Sequence, residues 1–316
     1  MNAMANTDMI ELWRGSVNTW ECDEMGHMNV RFYVAKAQEG LGALAHFLGL
    51  RHASGRDARA ILAPRDCHIR FLKEARPGDP LFMRGGIVEV RETALVVYQE
   101  LVHTGTGTVS ATFRTIVEHR DPTSGRAFAW SQRSRSAAES LQVAVPAHGA
   151  PRSIDLSTPV RAIAPGDAQM LSRVGLGVVT PDQLDATNRM RTELFIGRVS
   201  DAVPNMLASW RTAMTEAVSA TDGVARKPGA AVLEYRLIYR GAADLGDLLE
   251  VRSAIVSVGE KSYTLIHWII DAASGEVLCT CEAVAVTFDL IARKVLVIPE
   301  QFRRALQAQA APGAYI

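Results

Sequence analysis

The sequence predicts an α+β fold, a long helix followed by antiparallel strands, and predicts it twice within one chain. Three observations carry this reading. Apolar residues recur every three or four positions after Asn29, the mark of a helix with one buried face. Four strand-like runs bounded by turn residues follow it. The same order of elements then returns in the second half at a constant offset.

Element by element, a short extended segment from Leu12 to Trp20 comes first, then a turn containing Gly26. The helix spans about Asn29 to Leu50, with Val30, Tyr33, Ala37, Leu41, Leu44 and Leu48 on its apolar stripe. Gly49 and the polar run Arg51 to Gly55 end it. Strands are expected at Asp66 to Leu72, Pro80 to Arg91, Ala94 to Thr104 and Thr108 to His119. Their turns are Pro77-Gly78-Asp79, Arg91-Glu92-Thr93 and Gly105-Thr106-Gly107.

In the second half, Gly177, Asp185, Met190, Phe195 and Asp201 fall on Gly15, Asp23, Met28, Tyr33 and Glu39 with a shift of 162. Beyond the helix the shift becomes 168, carrying Gly78 onto Gly246, Glu92 onto Glu260 and Gly107 onto Gly275. A six-residue insertion after the helix accounts for the change. The expected division is a first unit over 1–141, a linker rich in Ala, Pro, Ser and Gly over 142–173, and a second unit over 174–316.

Composition narrows the function classes. The 34 lysines and arginines balance 34 aspartates and glutamates, so nothing global favours nucleic acid or a membrane surface. No apolar run approaches the ~18 residues that span a bilayer. Met1 to Glu11 lacks a signal-peptide core, and the expected location is cytoplasmic. Cys22, Cys67, Cys279 and Cys281 form no disulfide or metal spacing; Cys279 and Cys281 read as small core residues of one strand. The histidines outside the motif show no ligand spacing either, so no metal is expected.

The stretch Asp23-Glu24-Met25-Gly26-His27-Met28-Asn29-Val30-Arg31-Phe32-Tyr33 gathers an acid, a glycine, an imidazole, an amide and a phenol at the mouth of the helix, with Glu39 further along. The pattern Asp-x-x-Gly-His-x-Asn-x-x-x-Tyr leading into a helix and then a sheet resembles the hotdog-fold thioesterases. The similarity is greatest to the 4-hydroxybenzoyl-CoA thioesterase-like branch and the plant-type acyl-carrier-protein thioesterases. Arg76 to Asp79, Leu245 to Asp247, Lys261-Ser262, Gly275 to Val277 and Ile298-Pro299 match the family's turns and its closing segment. The resemblance implies a tandem double hotdog, in which one chain supplies both units.

It also implies hydrolysis of an acyl-CoA or acyl-carrier-protein thioester, with no cofactor beyond coenzyme A in the substrate. A thioester carbonyl needs a nucleophile and a place for charge to develop on oxygen. Asp23 is the expected nucleophile or general base, and backbone amides near Asn29 and Val30 are the expected oxyanion donors. Gly26 lets the backbone approach the substrate. His27 and Asn29 would orient water, carboxylate or thioester oxygen, and Tyr33 would place a hydroxyl in an apolar pocket. Glu39 lies sixteen residues after Asp23, as an acid does in the plant-type enzymes. Met25 stands where those enzymes carry asparagine, so the weight falls on Asp23.

Each residue also has a plainer reading. The Gly-His turn can be a simple cap with Asp23 bonded to backbone amides, Tyr33 can be core, and Glu39 can be a solvated helix residue. Trp20 and Met28 read as core rather than substrate contacts. In the second copy Asn188, Arg189, Arg191 and Phe195 replace glycine, histidine, asparagine and tyrosine, so this copy is expected to have lost its own catalytic set. Arg189 and Arg191, or the loop Arg51 to Arg59, are candidates for coenzyme A phosphates. Other functions on the same scaffold are an acyl-thioester hydratase or dehydratase and a non-catalytic acyl-CoA-binding module. Self-association into a homo-oligomer is expected.

Overall fold

The computed structural model describes residues 8–53, 55, 57–164, 166–222, 228–289, 291–292 and 294–316. They form two units: one ends at Pro151 and takes in Pro181–Ile196, and the other comprises Arg152–Thr180 and Gly197–Ile316.

The first unit runs β1 (Ile10–Ser16), α1 (Val30–Phe47), β2 (Ile61–Phe71), β3 (Pro80–Val90), β4 (Ala94–His103), β5 (Val109–Arg120) and α2 (Gln132–Ser140). Its strands make one antiparallel sheet in the order β1-β3-β4-β5-β2. Helix α1 buries Leu41, Leu44 and Leu48 with Leu12, Ile87, Leu95, Val97 and Val117 of the sheet, each leucine contributing about 1.5–3 kcal/mol of burial. The helix ends as its sequence directs. Gly49 takes φ +82, its amide donates to the His46 carbonyl and that of Leu50 to the Ala45 carbonyl, a glycine-dependent C-terminal cap. Strand β2 starts five residues before the expected Asp66, because Pro64 sits at a register shift where its missing N–H does no harm.

The second unit runs β6 (Ser172–Val178), α3 (Glu193–Asp222, of which it holds Gly197 onward), β7 (Pro228–Tyr239), β8 (Leu248–Val258), β9 (Ser262–Asp271), β10 (Val277–Asp289), β11 (Lys294–Val295) and α4 (Glu300–Ala308). Its sheet order is β7-β10-β9-β8-β6, with β11 on β10. The offsets read from sequence reappear in the backbone. Strand β6 is β1 displaced by 162, while β8 and β9 are β3 and β4 displaced by 168. The bridge Cys22–Met28 has its counterpart in Leu184–Met190. Helix α3, at 30 residues against 18 in α1, shows that the added length enters the helix itself.

In each unit part of the sheet face turned away from the long helix is covered by the unit's own chain. In the first, Val143 bonds the backbone of Ile87 and packs on Gly86, whose missing side chain leaves the space. Beneath the same segment Glu100, fully buried, accepts from Arg84 Nε and Nη2 (2.9 and 2.7 Å) and from Tyr98 Oη (3.0 Å), with His148 Nε2 at 2.6 Å. Arg70 donates to the carbonyls of His148 and Ala150. In the second unit Ile266, Trp268 and Ile270 lie under Leu171, Ala314 and Ile316, and the Trp268 indole donates to the Tyr315 carbonyl. Residues 142–173, which composition marks as the linker, thus include buried Val143, Ile154 and Leu171 and the start of β6.

One buried group gives the second unit a pH response. His267 occupies the position of Gln99 in the first unit and is fully buried, its Nδ1 2.7 Å from Ser253 Oγ. Burial holds its imidazole neutral, pushing the pKa from 6.5 down to about 3. The unfolded chain therefore binds a proton that the folded one refuses between these values. Stability present above pH 6.5 should fall as the pH drops toward 3. His267→Gln, the residue the first unit uses, should flatten that part of the stability–pH curve in denaturant titrations. An unchanged curve would assign the acid sensitivity elsewhere.

Candidate active site

The motif forms a tight loop feeding α1. The Asp23 amide donates to the His27 carbonyl (2.9 Å) and the Gly26 amide to the Asp23 carbonyl (3.0 Å). Asp23 Oδ1 accepts the amides of Met25 (2.9 Å) and His27 (3.3 Å). Its Oδ2 has no partner among the described residues, and the half-buried carboxylate is in no ion pair. Gly26 takes φ +75, and a Cβ there would meet nothing within 4 Å. Backbone sign, not crowding, calls for glycine. Asn188 holds φ +63 at the matching place of the second copy. Gly26→Ala should therefore cost about 1–2 kcal/mol, and Gly26→Asn clearly less, in paired thermal unfolding. Equal costs would mean that the glycine answers to something other than φ.

Asn29 is the N-cap of α1: its side chain accepts the Arg31 amide (2.9 Å), and its own amide donates to the Glu21 carbonyl (2.8 Å). Of the two amides expected to face an oxyanion, that of Asn29 is therefore engaged. Val30, the first helical residue, has an amide without a partner among the described residues, as the first turn of a helix dictates. His27 is buried, with Nε2 3.2 Å from Glu74 Oε2. The Met28 amide bonds the Ala75 carbonyl and the Ala75 amide bonds Tyr33 Oη (3.0 Å). The Tyr33 phenol is thus an acceptor inside the core, packed edge-on against Phe71, and burial pushes its pKa up to about 12.

The structure brings Asp23, Gly26, His27, Asn29, Val30 and Tyr33 to one end of α1 and leaves Glu39 apart. Glu39 is nine residues beyond Val30, about 13 Å along the axis, exposed, and accepts the Trp13 indole (2.8 Å). Met28 is core, at 3 % exposure, whereas Trp20, expected in the core, is 76 % exposed. It lies in a single 3-10 turn, Thr19–Glu21, too short to bury both of its faces.

Burial and the neighbouring Asp23, Glu21 and Asp79 carboxylates raise the pKa of Cys22 and keep it a thiol. Three contributors were not anticipated. Glu74 follows a strand with no periodic signal. Lys36 lies between Tyr33 and Ala37 of the apolar stripe, with nothing in the sequence to name its partner. Glu21, three residues after Asn18, carried the one legible clue, a capping-box spacing.

A sequence model of the thioesterase-like superfamily matches residues 17–142 and 179–306. The chain belongs to that superfamily. By family, this thioesterase-like protein is a thioester hydrolase, and its two repeated units have the hotdog-type fold. Solved structures with the same fold include a putative oleoyl thioesterase from Lactobacillus plantarum (13% identity, TM-score 0.68, 90% of this chain and 98% of that one). A 12:0-ACP thioesterase from Umbellularia californica is similar at 10% identity and TM-score 0.61, over 87% of this chain and 92% of its own. An acyl-ACP thioesterase from Bacteroides thetaiotaomicron follows at 11% identity and TM-score 0.59, over 86% and 96%. No curated relative matches the sequence.

In the second copy of this thioesterase-like chain the loop keeps its backbone but not its chemistry. Asp185 Oδ1 accepts the Thr187 amide and hydroxyl (both 2.7 Å) and the Arg189 amide (3.2 Å). Arg191 lies 3.4 Å from Glu193 and donates to the Asp182 carbonyl, so it is already engaged within its own loop. Of the loop Arg51 to Arg59, Ser54 and Arg56 lie outside the described residues. Arg51 lines a cavity of about 280 Å³ with His46, Phe47, Leu48, Gly49, Arg133 and Ala137 at the far end of α1. Among the described residues no group of three or more His, Cys, Asp or Glu side chains could hold a metal, and no helix is long and apolar enough to cross a membrane.

Proposed function

We propose that the chain hydrolyses an acyl-CoA thioester to a carboxylic acid and free thiol, working from the first motif. Asp23 supplies the carboxylate that attacks the carbonyl carbon or takes a proton from the attacking water. The Val30 amide receives the developing oxyanion, helped by the positive end of the α1 dipole. One observation carries the reading: an Asp23 carboxylate oxygen and the Val30 amide where the loop enters α1 are both without a partner among the described residues. His27 and Asn29 act by holding that loop, His27 against Glu74 and Asn29 as the helix cap. Tyr33 holds Ala75 from below.

The second reading is an acyl-carrier-protein thioester as the donor, favoured by the names of two structural neighbours, acyl-ACP and 12:0-ACP thioesterases. The test is thiol release, followed with a thiol-reactive dye, from a panel of acyl-CoAs and from the same acyl groups on a carrier protein. Release from the CoA panel supports the proposal, and release from the carrier alone supports the second reading. Substrate consumption without thiol would point to a hydratase or dehydratase, and binding without turnover to an acyl-CoA-binding module.

A further inference from the structure

The motif loop is braced by a buried ion pair. Lys36 Nζ lies 2.6 Å from Glu21 Oε1, with the two side chains 5% and 10% exposed. Glu21 is engaged at three points. Its Oε1 meets Lys36, its Oε2 accepts the Asn18 amide (2.8 Å), and its carbonyl accepts the Asn29 amide (2.8 Å). That last bond fixes the residue directly before Val30, and Cys22 and Asp23 follow Glu21 in the chain. A lysine seldom sits at 4% exposure unless something fixes it there. Lys36 also lies over the Trp13 ring, 5.0 Å from its centroid, and the Trp13 indole donates to Glu39. A continuous line of contacts thus runs from Glu39 through Trp13, Lys36 and Glu21 to the cap of α1.

The second copy is an internal control. There Gln183 stands for Glu21, Arg198 for Lys36 and Gly175 for Trp13. Arg198 donates to the carbonyls of Gly177 and Val178 (3.3 and 3.0 Å). The charged pair occurs in the copy that keeps the intact motif and is missing from the copy whose motif has decayed. Stability of the fold alone would ask for it equally in both.

We propose that Glu21 and Lys36 are positioning residues of the hydrolytic site, holding the Val30 amide and Asp23 in register, with Trp13 and Glu39 as the outer end of the same brace. This rests on the hydrolase reading above and assigns Glu39 an indirect part in place of a catalytic one.

The experiment pairs kinetics with amide hydrogen exchange on the full chain. Removing one partner would strand a buried charge, so both are replaced by uncharged groups of similar length, Glu21→Gln with Lys36→Met. Expected are a retained thermal transition, faster exchange at Asn29 and Val30 by about tenfold, and kcat lower by about 10–10²-fold with KM little changed. Lys36→Arg alone, which keeps a cation opposite Glu21, should retain most of both. Trp13→Phe, which keeps the ring and removes the donor to Glu39, should shift exchange and kcat in the same direction by less.

Unchanged exchange, or unchanged kcat in a folded double variant, overturns the proposal. So does a fall in KM affinity alone. If the double variant does not fold, Trp13→Phe decides by the same two readouts. A wild-type protein that releases no thiol would refute the hydrolase reading, while the exchange comparison would still show whether the pair holds the loop.

Discussion

Replacing Asp23 by asparagine is expected to lower thiol release by about 10²–10⁴-fold, the usual worth of a positioned base or nucleophile. The reasoning separates structure from chemistry. Asp23 holds its loop through Oδ1, which accepts the Met25 and His27 amides. An asparagine carbonyl accepts the same two bonds, so the loop and thermal stability should survive. What is lost is the negative charge on the unpaired oxygen. Asp185→Asn preserves its loop in the same way and should leave the rate within about twofold. A full-strength Asp23→Asn enzyme would remove the proposed mechanism, and an equal loss in Asp185→Asn would show that the second loop is also at work.

The second large effect concerns stability. Arg84→Met should destabilise the first unit by about 3 kcal/mol, the lower end for breaking a buried pair, because Arg84 itself is half-exposed. The cost arises at Glu100, whose fully buried carboxyl would be left with only Tyr98 and His148 to answer it. Adding Glu100→Leu removes the stranded carboxylate, and the double variant should regain much of the loss. Denaturant unfolding of the four corners of this cycle measures it. Additive losses, without recovery in the double variant, would mean that Glu100 contributes through packing.

Much of this was legible in the chain because the signals were long and repeated. The stripe through Leu41, Leu44 and Leu48 marks α1, and the two constant offsets are those that carry β1 onto β6 and β3 and β4 onto β8 and β9. The loop was legible because Gly26 and Asn29 have local jobs, a positive φ and a helix cap, that residue type alone announces. What escaped depends on tertiary pairing. Lys36 reads as a blemish in an apolar stripe until Glu21 is folded onto it. Glu74 has no pattern until β2 carries it to His27. Spacing placed Glu39 correctly on the helix but could not say that Trp13 would take it up on the adjacent strand.

The segment that lies across Trp268 has an experimental consequence. With Ala314 and Ile316 seated among Ile266, Trp268 and Ile270, those three side chains are withdrawn from solvent. A dye that brightens on apolar protein surface should stay dark there in the native protein. Unseating residues 311–316 should turn the same three into a sticky surface. Tyr315→Ala, which removes the ring lying edge-on to Trp268 and the hydroxyl bonded to the Ala162 carbonyl, is the mildest way to see it happen.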